Sequence, residues 1–312
     1  MLANTDPARS SRLAFPRGLG GVEVVVIIAV VGFLVMCVLI VLPRGRETSR
    51  MAGCQRNLMQ VGVATQLYEQ ANRHYPSLPP FGNPAGGDSP VHAMLKALTI
   101  PDFLDLRDAN KPPKPTEAPG LGARVPGLVC PSDPRSGSRI NPAALSYRVN
   151  VGDGTDGTNG PFSPDRAVSS TTVEAADGAS YTAGFAERLI GTGRDDEPRP
   201  MNYALVRGPV TQSSEPSSGA DQRWRGDAGA SWAEPGWRSA AYSHGPVPNA
   251  PTTCVAEDGR TATMTASSGH PGRINVWMLD GSLRGVTPSI NPSVWRAMGS
   301  VGSAPPTAEP GR

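Results

Sequence analysis

Residues Val22 to Leu42 read VEVVVIIAVVGFLVMCVLIVL, an apolar run broken by one charge, Glu23. As a helix rising about 1.5 Å per residue, the run reaches about 30 Å, the depth of a bilayer's hydrocarbon core. A helix buried in a soluble core would keep a polar face, and this stretch has none. A cleaved secretory signal is the competing reading, but its apolar region is shorter, about 7–15 residues, and ends at a small-x-small site. The following VLPRGRETSR offers no such site. A retained single-pass transmembrane helix, with the lipid bilayer as partner, is therefore expected at about 22–42. Arg9, Arg12 and Arg17 precede the span and Arg44, Arg46 and Arg50 follow it, so charge alone does not orient it.

Glu23 is the informative residue. A carboxylate at the centre of an apolar span costs about 2.5–3.5 kcal/mol, so an acid at its start is not expected to be idle. One explanation is local: an acid in the first turn of a helix is favoured by the macrodipole. The other comes from its neighbours. Arg17-Gly18 precedes Leu19, and counting from Leu19 makes Glu23 the fifth residue. This arrangement resembles the processing site of type IV prepilins and type II secretion pseudopilins. The resemblance implies that a prepilin peptidase cuts between Gly18 and Leu19 and methylates the new N-terminus. It also implies that Glu23 pairs with the N-terminal amine of a neighbouring pilin-like subunit. Leu19-Gly20-Gly21-Val22 departs from the usual Phe-Thr-Leu-Ile, and each glycine costs about 1 kcal/mol of helix propensity, which softens the first turn.

Pro43 should kink or interrupt the helix where the apolar run ends. Beyond it, Leu58, Val61, Ala64, Thr65 and Tyr68 recur at three- and four-residue steps among Arg, Gln and Glu, an amphipathic helical pattern. The helix is expected to run to about Arg73 and to stop before Pro76 and Pro79. This gives a leader at 1–18, an N-terminal helix at 19–73, a globular domain at 74–298 and a disordered tail at 299–312. Within the domain, 107–127 is proline-rich and 191–240 is polar, so both read as long loops.

A second resemblance is narrower. Cys54-Gln-Arg-Asn-Leu-Met-Gln-Val-Gly, Tyr68 and His74-Tyr75-Pro76 come first. Cys130-Pro131-Ser132-Asp133, Ser146-Tyr147, Asn159-Gly160-Pro161-Phe162, Asp177-Gly178-Ala179-Ser180 and Glu187-Arg188 follow in order. His244, Pro248-Asn249, Cys254 and finally His270 with Asp280-Gly281 close the series. Together these resemble the planctomycete-type DUF1559 family of prepilin-like proteins, whose C-terminal motif is a histidine, nine residues and Asp-Gly. The family motif falls here on Cys130, Asp133, Glu187, His270, Asp280 and Gly281. The resemblance implies a pilin-like architecture in a bacterial inner membrane, with the N-terminus cytoplasmic and the globular domain periplasmic or extracellular.

The residues themselves indicate an α+β fold, with the long N-terminal transmembrane and amphipathic helix packed on a mainly antiparallel sheet. Asp280-Gly281 between apolar strands reads as a hairpin of type I′, which needs positive φ at both central residues. Val276, Met278 and Leu283 are placed on inner faces, and residues 145–149 and 181–186 are further strand candidates. His270 precedes Pro271-Gly272 and reads as a turn residue. A catalytic grouping of His270 and Asp280 with Glu187 or His244 is the rival reading, but no nucleophile elbow, HExxH or phosphate loop accompanies it. The run from Asp153 to Asn159 is rich in oxygen ligands, lacks EF-hand spacing and is explained by turn chemistry.

The 29 basic and 27 acidic residues are well mixed, giving a net charge of +2 and no basic stripe, so nucleic acid is not expected as a partner. Cys37, Cys54, Cys130 and Cys254 form no CxxC, so no metal site and no cofactor is expected. In an oxidising compartment one pair can form, and Cys130–Cys254 is favoured because both lie in the globular part. Trp224, Trp232 and Trp237 either form a binding face or pin their loop onto the sheet, the latter being favoured. The expected function is non-catalytic: a membrane-anchored pseudopilin-like assembly or surface-display subunit. The alternatives are a monomeric tethered binding module and, behind it, a tethered metal-dependent enzyme built on His270, Asp280 and Glu187.

Overall fold

The structure, a computed structural model, describes residues 20–83, 87–97, 122, 124–138, 141–164, 166–216, 222–251 and 253–302, with only the backbone described at 37–44, 96, 97 and 126. The leader with Gly18 and Leu19, nearly all of the proline-rich stretch 107–127 and the tail beyond 302 lie outside the described residues. The chain divides into two units, Met1–Arg46 and Glu47–Arg312.

In the first unit the helix α1 (Gly21–Asn72) begins. Glu23 Oε2 accepts the Gly20 N–H at 3.0 Å, satisfying one of the free donors at the helix start as the acid of a capping box does. The apolar side chains from Val22 to Met36 are largely solvent-exposed. Among the described residues no helix is long and apolar enough to cross a membrane. The side chains of 37–44, Cys37 among them and most of the remainder of the expected span, lie outside the described residues. Pro43 does not interrupt the helix, whose backbone runs unbroken from Gly21 to Asn72. A proline removes one hydrogen bond from the ladder, and the turns on either side hold the rest.

In the second unit α1 is amphipathic as its spacing requires. Cys54, Leu58, Val61, Ala64 and Thr65 are buried, whereas Met59, Val63 and Leu67 are exposed. The helix stops at Asn72 because Arg73 enters the left-handed region at φ 64°, a common way to close a helix C-terminus. Among the described residues three shorter helices follow: α2 (Pro90–Ala97), α3 (Ser170–Ala176) and α4 (Pro292–Gly299). Ser169 caps α3 by accepting the Thr172 N–H at 3.1 Å, and Asn291 caps α4 ahead of a proline in its first turn.

The strands are β1 (Tyr147–Asn150), β2 (Ala183–Glu187), β3 (Tyr203–Val206), β4 (Trp224–Arg225), β5 (Ala241–Tyr242), β6 (Cys254–Ala256), β7 (Ala262–Thr263), β8 (Ile274–Met278) and β9 (Leu283–Val286). They form two sheets, ordered β5-β1-β2-β8-β9 and β4-β3-β6-β7. The fold is α+β, and most strand pairs are antiparallel. Each sheet nonetheless contains one parallel pair, β1–β5 and β3–β6, so both are mixed. Parallel neighbours need a long crossover. The segment 191–240, expected as a loop, supplies that length and contributes β3 and β4, while Trp232 and Trp237 are buried in it.

α1 meets the first sheet at Gly62. A Cβ there would stand 2.3 Å from the indole of Trp277 on β8, so the absence of a side chain sets how closely helix and strand approach. From Trp277 a chain of edge-on and tilted rings runs through Phe185 and Phe162 to Tyr75. The β8–β9 hairpin pairs Trp277 with Leu283 and Ile274 with Val286. Its turn is not type I′. The Gly281 N–H bonds to the Met278 carbonyl at 2.9 Å, and Gly281 alone takes positive φ, 91°. The turn is closed by a left-handed glycine, which makes it longer than the expected two-residue one. The folded region also passes the boundary expected at 298: Ser300 and Val301 are buried, and the Val301 N–H bonds to the Asn159 carbonyl.

Candidate functional site

Three elements converge on one buried polar cluster. α1 places Glu47 and Cys54 two helical turns apart on its inward face. The loop after the 3-10 turn Pro126–Leu128 carries Cys130, Ser132 and Asp133. β2 ends in Glu187, the adjacent β8 carries Asn275 near its start, and His270 lies in the loop leading into β8.

The His270 ring is fully buried between two carboxylates. Its Nδ1 lies 2.6 Å from Glu47 Oε1, and its Nε2 lies 3.4 Å from both Glu187 Oε1 and Cys130 Sγ. Glu47 also accepts the Ser132 hydroxyl at 3.0 Å. Glu187 is held by Asn275, whose backbone N–H and side-chain amide each donate at 2.9 Å. Burial pushes the His270 pKa down, but the Glu187 and Glu47 carboxylates outweigh it and hold the ring above its ordinary value. His270 is thus part of an ion-paired cluster and not merely a turn residue, because the loop that carries it lies over the helix and the end of β2.

Cys54 and Cys130 form a disulfide, with Cα atoms 4.9 Å apart. This corrects the expected Cys130–Cys254 pair. Cys54 lies on the inward stripe of α1 beneath the Cys130 loop, whereas Cys254 is a buried free thiol on β6 of the other sheet. Burial raises the Cys254 pKa to about 11, so it is an inert core residue.

A second polar layer stands behind the cluster. Asp133 accepts the N–H groups of Arg135 and Ile190 and the Ser146 hydroxyl at 2.8, 2.9 and 3.2 Å, yet burial still raises its pKa. Arg188 donates to Ser267 Oγ at 2.9 Å and to the Pro200 carbonyl at 3.1 Å; burial lowers it to about 10, opposed by Asp133. Arg148 is fully buried, and its guanidinium nitrogens have no hydrogen-bond partner among the described residues. Burial and repulsion from Arg188 push it well below its ordinary pKa.

The family-motif residues therefore separate into two groups. Cys130, Asp133, Glu187 and His270 come together. Asp280 and Gly281 do not join them: Asp280 is exposed at the hairpin turn, where its Oδ1 accepts the Ser282 N–H at 2.8 Å. His244 is also elsewhere, buried between the Tyr242 hydroxyl at 2.9 Å and the Trp295 carbonyl at 2.7 Å. In the Asp153–Asn159 loop, Asn159 bonds the Asp153 carboxylate and the N–H groups of 153 and 154, so turn bonds occupy the oxygen-rich segment. Sequence reasoning missed Glu47, Asn275 and Arg148, and quoted Ser132 and Arg188 within the motifs without giving them a role. The seven-residue step from Glu47 to Cys54, in phase with Leu58, Val61 and Thr65, was the available signal for Glu47.

The crevice bordered by Cys130, Glu187, Ser267 and Gly269 has no room for a water molecule. Two larger hollows lie away from it. One is a cleft of about 440 Å³ beside Phe81, Tyr203, Arg225, Trp237 and Glu257, where Phe81 and Trp237 stack 4.5 Å apart. The other is an apolar groove of about 590 Å³ lined by Met59, Val63, Met94, Leu95 and Val125.

The family model described as protein of unknown function, DUF1559, matches residues 43–293. That range holds every residue of the His270 cluster and begins after the Gly18–Leu19 junction. No curated protein and no solved structure matches the chain. With most of its length inside the matched range, the chain belongs to the DUF1559 family.

Proposed function

We propose that this chain is a membrane-anchored, pilin-like assembly or surface-display subunit with no catalytic role, exported through a prepilin-type pathway. The observation that carries the reading is the two-part character of α1. Its first part presents apolar side chains from Val22 to Met36 to solvent, and its later part gives Cys54, Leu58, Val61 and Ala64 to the core of the second unit. Exposed aliphatic surface on that scale calls for a cover, either lipid or another apolar helix. The Arg17-Gly18-Leu19 junction and Glu23 supply the processing and assembly chemistry by resemblance. In this reading Glu23 exchanges the Gly20 N–H it caps for the amine of a neighbouring subunit.

Mass spectrometry of the membrane-extracted protein tests the reading. A mature N-terminus at Leu19, methylated where a prepilin peptidase is present, is expected. An intact Met1, or cleavage beyond Leu42, overturns it.

The cleft beside Phe81 and Trp237 favours a second reading, a monomeric tethered binding module, since stacked rings ringed by Arg225, Arg238 and Glu234 suit a polar ligand with a flat face. The two readings part at Glu23→Ala. Loss of self-association in membrane crosslinking supports assembly, and unchanged behaviour supports the module.

A further inference from the structure

Four side chains of the His270 cluster carry metal-ligand chemistry. Cys54 Sγ, Cys130 Sγ, a Glu187 carboxylate oxygen and a His270 ring nitrogen all lie within 4.8 Å of one another, and all four residues are buried. While the two sulfurs are bonded to each other they are not thiolates, and the set is closed to metal. We propose that reduction of the Cys54–Cys130 disulfide converts this cluster into a tetrahedral site for a divalent ion of the zinc type, with Cys54, Cys130, Glu187 and His270 as its ligands.

The donor set and its support fit that ion. Thiolate, imidazole and carboxylate together select Zn²⁺ over hard cations such as Mg²⁺ or Ca²⁺. With Zn–S bonds of about 2.3 Å, a tetrahedral ion holds its two sulfurs about 3.8 Å apart. Cysteines whose Cα atoms are 4.9 Å apart can span that distance by side-chain rotation. The outer shell is also in place. Histidine ligands usually donate their second ring N–H to a carboxylate, and His270 Nδ1 already faces Glu47 Oε1 at 2.6 Å, leaving Nε2 directed at Cys130 and Glu187. Ligating carboxylates are themselves hydrogen-bonded, and Asn275 holds Glu187 through two donors. Glu47 is itself steadied by Ser132. An ion pair with one carboxylate would explain a buried histidine. It does not explain a held carboxylate at each ring nitrogen and a disulfide sulfur 3.4 Å from Nε2.

A dithiol reductant transfers two electrons and two protons to the disulfide, becoming a disulfide itself and leaving two protein thiols. The ion then binds both sulfurs as thiolates, with the two thiol protons and any proton on His270 Nε2 passing to water. Reoxidation by a disulfide of the same class releases the ion. The site would thus hold metal in a reducing compartment and a covalent cross-link in an oxidising one.

The test uses the full chain purified in detergent, with Co²⁺ as the spectroscopic probe. Before reduction, no thiolate-to-cobalt absorption is expected. After treatment with a phosphine reductant under anaerobic conditions, one Co²⁺ per chain should bind, with near-ultraviolet charge-transfer bands and the intense visible bands of tetrahedral cobalt, and Zn²⁺ should displace it. His270→Ala and Glu187→Gln should each weaken binding by about tenfold or more. Cys254→Ser should leave the titration unchanged. Absence of the bands in the reduced chain overturns the proposal, as does their persistence at full strength in Cys54→Ser. If reduction itself melts the fold, Zn²⁺ must restore the folding transition of the reduced chain and leave that of the oxidised chain unmoved; failure to restore it also overturns the proposal.

Discussion

His270 and His244 are both fully buried, yet their surroundings drive them in opposite directions. Burial pushes each ring toward lower pKa. At His244 the neighbours are a tyrosine hydroxyl, a backbone carbonyl and the face of Trp295, stacked at 3.8 Å, and its pKa falls to about 3. At His270 two carboxylates oppose the same push and reverse it. The first is a neutral core residue with one fixed tautomer: Nδ1–H donates to the carbonyl and Nε2 accepts from Tyr242. The second is a ring whose charged form two carboxylates favour, beside a disulfide. Charge on the partners, and not depth, separates a packing histidine from a chemical one.

Breaking the His270 side of this comparison should have the largest effect. Glu187→Ala leaves the His270 ring with Glu47 alone and strands the two Asn275 donors, and a loss of about 3–5 kcal/mol in urea unfolding is expected. A loss below about 1 kcal/mol would show that the pair is not what stabilises the cluster. Removing the cross-link as Cys54→Ser with Cys130→Ser should cost about 2–4 kcal/mol, read as a lowered midpoint under non-reducing conditions. The same double change in a background already reduced should cost far less.

His244→Phe keeps a ring against Trp295 and removes both polar contacts, so a loss of about 1–3 kcal/mol is expected from the stranded Tyr242 hydroxyl and Trp295 carbonyl. The same variant reports the neutrality of His244 through pH. The folded His244 stays neutral down to about 3, whereas the unfolded ring takes up a proton below its ordinary 6.5. The unfolded state therefore binds more protons in that window, and stability falls as pH drops from 6.5 toward 3. Subtracting the His244→Phe profile from that of the natural chain should isolate this slope; superimposable profiles would contradict a neutral His244. The smallest effect belongs to Glu47→Gln. Its side chain is 28% exposed, so solvent screens its contribution, and about 1 kcal/mol or less is expected by the same unfolding measurement.

The elements of the fold were largely legible. Leu58, Val61, Ala64 and Thr65 announced the buried face of α1 by spacing, and residues 145–149 and 181–186 announced strands by composition. Pairing was not legible. Whether β1 lies beside β5, or β3 beside β6, depends on contacts between segments many residues apart, and local periodicity carries no record of them. The disulfide failed for the same reason. Cys54, four residues before Leu58, is in phase with the buried stripe, but spacing does not show which distant loop covers that stripe. The family motif identified Cys130, Asp133, Glu187 and His270 as a set, but it offered Asp280 on equal terms. The hairpin reading of Asp280-Gly281 was legible in the sequence, and the structure adds that the turn holds Asp280 apart from the set.

By itself the sequence determined the apolar run at Val22–Leu42, the helix that follows it, the α+β class and the family, because each is written in local spacing or in ordered motifs. The tertiary structure alone decided that Glu47, seven residues before Cys54, reaches the His270 ring, that Cys130 pairs with Cys54, and that Asn275 holds Glu187. Those contacts join α1, the 130–133 loop, β2 and β8. Their chemistry comes from the charges that folding brings within 4 Å, and no stretch of the chain encodes that proximity on its own.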